Sequence, residues 1–169
     1  MSKYTIIIFS LFVITLSCKD SNDKINVRRK NWKIAHEAIE RVRIPFNKQS
    51  DYINEVYSDL SITKRDSNLK KLEQIKILSK EINFQSKSSL KIIRSELKNQ
   101  DTAKIFLVTL KYLEKVKSIE PLLPSIYIKM EKDINGLPTE RQNQIIDAAN
   151  RITECGYLYK EIMENYPID

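Results

Sequence analysis

The chain has 169 residues, with 29 Lys and Arg against 22 Asp and Glu, for a formal net charge of +7. Its two glycines leave no material for a phosphate-cradling loop and make tight β-hairpins scarce. A single histidine, His36, confines any imidazole-based chemistry to one position.

The first element in chain order is a leader. Lys3 gives a positive start, Ile6 to Leu16 is almost wholly apolar, and Ser17-Cys18 follows at once. That order reads as a secretory signal peptide. The apolar run is about 11 residues, far short of the roughly 20 that span a bilayer as a helix. Thr15-Leu16-Ser17-Cys18 resembles the lipobox of bacterial lipoproteins, in which a small residue precedes the modified cysteine. The usual leucine three before the cysteine is Thr15 here, and Leu16 sits one position late. The resemblance covers the leader alone. It implies a signal peptide over residues 1–17, acyl lipid on Cys18 and attachment to a membrane of the cell envelope.

Lys19-Asp20-Ser21-Asn22-Asp23-Lys24 is polar and turn-prone, so residues 18–25 are expected to be the lipidated cysteine and a solvated tether. Asp does not directly follow the cysteine, so the inner-membrane retention cue is missing. Lys19-Asp20 resembles the charged tags with which some Gram-negative groups place lipoproteins on the cell surface. The expected location is the outer membrane, on its periplasmic or its exposed side. Residues 26–169 suit one domain. With Cys18 lipidated, Cys155 has no disulfide partner, and the domain must be held by its core.

The domain reads as all-α. From about Asn26 to Leu60 the apolar residues from Trp32 through Ala35, Ile39, Val42, Phe46 and Val56 share one helical face. Pro45 lies inside this stripe, which keeps phase across it, so one bent helix is expected. A second helix is expected from about Asn68 to Lys98, with Leu72, Ile75, Leu78, Ile82, Leu90, Ile93 and Leu97 inward. Ser79, Ser86 and Ser89 lie on the same face and suggest close approach. A third helix starts near Thr102 with two apolar rows, one running through Phe106, Leu110 and Leu113 and the other through Ile105, Val108, Tyr112 and Val116. Pro121 and Pro124 must break or kink it before Ile126, Tyr127, Met130 and Ile134 resume the spacing. Asn135-Gly136-Leu137-Pro138 is a stop signal, and Thr139 with Gln142 is a capping-box pattern. The last helix places Ile145, Ala148, Ala149, Ile152, Cys155, Tyr159, Ile162 and Met163 inward. Four segments of similar length joined by short loops predict an antiparallel four-helix bundle with its third helix broken or kinked at Pro121–Pro124, the alternative being a five-helix array split there. Trp32, Phe46, Phe106, Leu110, Ile152 and Tyr159 are expected in the core, with a cost of about 2–5 kcal/mol for Leu110→Ala.

Little in this chain carries catalysis. His36 and Glu40 offer two metal ligands at i, i+4, but no Glu-x-x-His partner motif completes a site. Cys155 projects to the core side, without the electropositive, partly exposed setting of a reactive thiol. No catalytic residue, cofactor or metal is assigned. The charge pattern is more telling. Residues 64–98 hold ten Lys and Arg against four Asp and Glu. Lys76, Lys80, Lys87, Lys91, Arg94 and Lys98 project on one face, about 33 Å long at 1.5 Å per residue. They form the candidate contact surface, for an anionic envelope component or an acidic protein. Glu140, Asp147, Glu154 and Glu161 recur every seven residues in the last helix and would neutralise that surface if the two helices met. No aromatics interleave with these lysines, and nucleic acid is not an expected partner. The expectation is an exported, lipid-anchored, non-enzymatic helical interaction module. The alternatives are an envelope enzyme acting on peptidoglycan or lipid, or an immunity-type lipoprotein that neutralises a toxin.

Overall fold

The computed structural model describes the backbone of residues 3–99, 104–137 and 143–166, and the side chains of residues 24–98, 104–137 and 146–166. The expected signal peptide, Cys18 and most of the tether therefore lie outside the described side chains, as does the Thr139–Gln142 capping box. The described residues are almost all helical, and none of them forms a strand. Helix α1 spans Lys3–Ser58, α2 Arg65–Asn99, α3 Lys104–Lys117, α4 Leu123–Ile134 and α5 Asn143–Asn165. Short 3-10 turns at Ile62–Lys64 and Glu120–Leu122 precede α2 and α4.

Contacts along the helices fix an up-down-up-down bundle. The Gln49 amide donates to the Ile75 carbonyl at 3.2 Å, and the Ser89 hydroxyl to the Ala38 carbonyl at 2.9 Å, so α1 and α2 run antiparallel. Asn83 with Glu120, and Arg94 with Glu114, set α2 antiparallel to the third helix. Arg151 donates to the Ser118 carbonyl at 2.7 Å, and the Trp32 indole to the Tyr166 carbonyl at 2.8 Å, which returns α5 beside α3 and brings its C-terminal end to the middle of α1.

Local chemistry explains the breaks. α1 runs unbroken through Pro45, which is buried. The third helix stops at Lys117 and restarts at Leu123. Pro121 and Pro124 sit in the first positions of the 3-10 turn and of α4, where a missing N–H costs nothing. α4 ends in a Schellman motif. Gly136, at φ +65°, donates to the Asp133 carbonyl, and the Leu137 N–H reaches the Lys132 carbonyl at 2.9 Å.

The core has two parts. Val42, Ile93, Phe106, Tyr112, Leu113, Cys155 and Ile162 belong to the larger cluster, which meets α1 at Ala35–Val42. Val56, Leu72, Ile75, Met130 and Ile134 form the smaller one. Between them lies a polar seam in which Gln49 and Tyr127 both donate to the Ser79 hydroxyl, which donates on to the Ile75 carbonyl. The buried Ser79, Ser86 and Ser89 do mark close approach, and Ser89 touches the α1 backbone. Phe106 is fully enclosed, while Trp32, Phe46, Leu110 and Tyr159 are only partly buried against the larger cluster.

Ile152 is not a core residue. It is 36% exposed, and Ala149 and Met163 are exposed as well. The buried row of α5 is Ala148, Cys155 and Ile162, spaced by seven. Ile152 is about 60° off that row at 100° per residue. α5 rests on α3 with its other flank, through Arg151 and Glu154, so this side stays in solvent.

Candidate functional site

α2 supplies the candidate surface. No glycine or proline occurs between Arg65 and Asn99, Asp66 lies in the first turn and Lys98 in the last, which suits the helix dipole. Leu72, Ile75, Leu78, Ile82, Leu90 and Ile93 are buried, and that anchors the rotation of the helix. The six basic residues then stand about 100–160° from Ile75 at 100° per residue. Lys80, Lys87, Lys91, Arg94 and Lys98 are exposed; Lys76 is half-buried and pairs with Glu73 at 2.6 Å. Arg94 pairs with Glu114 of α3 at 2.8 Å. Among the described residues no acid pairs with Lys80, Lys87, Lys91 or Lys98.

Two of the four acids in the seven-residue pattern are engaged elsewhere. Asp147 pairs with Arg151 of its own helix at 2.7 Å, and Glu154 with Lys115 of α3. Glu161 is exposed, and Glu140 lies outside the described residues. α5 packs on α3 rather than on α2, and among the described residues no acid of α5 pairs with the basic face.

Sequence reasoning missed three features of this face. Lys117, on α3, joins Lys87, Lys91, Arg94 and Lys98 around a groove of about 420 Å³ lined also by Leu90 and Ser95. Nothing local flags Lys117, because only the α2–α3 pairing brings it there. Phe84 and Ile77 are 70% and 54% exposed, on the outer face of α2 beside the lysines. Their spacing of seven was legible as a row off the core stripe. Residues 24–33 carry Lys24, Arg28, Arg29, Lys30 and Lys33 with no acid. Residues 24–30 are exposed, and the antiparallel register puts this run at the Lys98 end of α2.

The other chemistry-bearing groups are structurally occupied. His36 stacks on Trp32 with ring centroids 4.4 Å apart. Both Glu40 oxygens accept from Arg43, at 2.7 and 2.6 Å, and the Arg43 hydrogen bond holds the Glu40 carboxyl below its usual range. Among the described residues no three His, Cys, Asp or Glu gather as a metal site. Cys155 is buried, and desolvation pushes its thiol up to about 12 despite nearby Lys115. A wide cleft of about 900 Å³ between α3 and α5 holds Glu114, Asp147 and Glu154, and each of these acids is engaged by a cation. Among the described residues no helix is long and apolar enough to cross a membrane. No protein-family model, no curated protein and no solved structure matches the chain.

Proposed function

We propose that the protein is a lipid-anchored, non-enzymatic helical module of the bacterial cell envelope, whose α2 face binds an anionic partner. The observation that carries the reading is the uncompensated basic face. Lys80, Lys87, Lys91 and Lys98 stand in solvent on one stripe, while Asp147 and Glu154 of α5 pair with Arg151 and Lys115 instead. Like charges on one helix repel by a few tenths of a kcal/mol per pair, a cost that an anionic surface would offset. The leader supplies the second part. Its short apolar run ending at Ser17-Cys18 supports export and acylation of Cys18. Each buried CH₂ of an acyl chain contributes about 0.8 kcal/mol, so two or three chains anchor firmly.

The intact mass of the protein purified from envelope membranes tests the anchor. A chain that begins at Cys18 and carries added acyl mass is expected. Cleavage elsewhere, or a free Cys18 thiol, contradicts it.

A further inference from the structure

We propose that the groove between α2 and α3 is a binding site for a phosphate-bearing lipid headgroup, and that Phe84 enters the bilayer interface beside it. The proposal rests on the reading of α2 as an anionic-partner face and names the partner's chemistry. The groove, about 420 Å³, falls in the size range of small-ligand sites. Four cations come from α2 (Lys87, Lys91, Arg94, Lys98) and a fifth, Lys117, from α3. Among the described residues Glu114, on Arg94, is the acid paired there. Cations converging from two helices can engage several oxygens of one phosphate, whereas a stripe on one helix meets a flat surface one charge at a time.

Phe84 points the chemistry to a lipid rather than a soluble anion. It lies three residues before Lys87 and four after Lys80, so it shares their side of α2. Ile77, seven residues earlier, continues the apolar row. Exposed aromatic and aliphatic side chains set among lysines are the composition of helices that lie in a membrane interface. Chain geometry agrees. The register places the Lys98 end of α2 beside the exposed basic run of α1. Lys24 lies six positions after Cys18, and the backbone between them belongs to α1, so the two are about 9 Å apart along the helix at 1.5 Å per residue. A lipid on Cys18 would hold the groove within reach of headgroups at high effective concentration.

The test uses the full chain carrying Cys18→Ser. Binding of soluble dihexanoyl phosphatidic acid is measured by calorimetry, and flotation is measured with phosphatidylcholine vesicles with and without phosphatidic acid. The difference between the two vesicle types removes any contribution of the leader. Lys117→Gln and Lys91→Gln should each weaken binding of the soluble lipid at least fivefold. Lys70→Gln, exposed on α2 but outside the groove, should change it less than twofold. Phe84→Ser should lower the phosphatidic-acid-dependent flotation at least threefold. If Lys117→Gln binds within twofold of the parent, the groove is overturned. The broader reading of α2 still stands in that case if reversing all six stripe charges abolishes flotation. Binding to poly-glutamate but not to phosphatidic acid assigns the groove to an acidic protein and overturns the lipid site. Equal flotation of the parent with both vesicle types overturns the groove and the anionic-membrane reading together.

Discussion

Leu113→Ala tests the rotation of α3, on which the larger core cluster depends. Leu113 has no solvent exposure and packs in a cluster that draws on α1, α2 and α5. The change removes three carbons, worth about 2.4 kcal/mol at 0.8 kcal/mol per buried CH₂. Helices on three sides limit collapse into the space, so a cavity term adds to this, for a total of about 3–4 kcal/mol. Leu110, three residues earlier, is only partly buried, so Leu110→Ala should cost no more than about 1.5 kcal/mol. That is below the 2–5 kcal/mol expected when Leu110 was placed in the core from spacing alone. Urea unfolding followed by circular dichroism at 222 nm separates the two. At a slope of about 2 kcal/mol/M, Leu113→Ala should lower the midpoint by about 1.5–2 M. A Leu110→Ala loss equal to or larger than that of Leu113→Ala would show that α3 is rotated and refute the packing described.

Three further outcomes are expected. Thr109 is fully buried on α3 and its hydroxyl has no hydrogen-bond partner among the described residues, so the near-isosteric Thr109→Val should raise stability by about 1 kcal/mol; a loss would show that the hydroxyl is satisfied. Gly136→Ala should cost about 1 kcal/mol in thermal or urea unfolding, because φ +65° strains an L-residue although no atom lies within 4 Å of the added Cβ; no measurable change would contradict the Schellman stop. With its thiol pushed up to about 12 by burial, Cys155 stays neutral at pH 8, so a thiol reagent should label it only on unfolding, and rapid labelling of the native chain would place Cys155 at the surface.

The fold was legible where its signals are local. Apolar spacing set the phase of α2 through Leu72, Ile75, Ile82 and Ile93, and Pro121, Pro124 and Gly136 marked breaks through their own backbone restrictions. Ile152 was misread because periodicity gives the direction of a face but not its width. A helix with a close neighbour on only one flank buries a narrower stripe than its apolar residues cover. Gln49 and Ser79 were invisible as a pair, since their contact spans α1 and α2 and exists only in one register. The basic stripe itself was readable from one helix. The groove was not, because Lys117 meets Lys91 only through the pairing of α2 with α3.

The measurement that bears most directly on the account is salt-dependent vesicle flotation. The chain carrying Cys18→Ser is compared with a version in which Lys76, Lys80, Lys87, Lys91, Arg94 and Lys98 are all reversed to Glu. Flotation with vesicles containing an anionic phospholipid should exceed that with neutral vesicles at low salt. It should fall steeply as ionic strength approaches 1 M, where screening acts within about 3 Å, and be lost in the reversed chain. Equal flotation of both chains with anionic vesicles, unaffected by salt, would show that the α2 face is only a solvated surface.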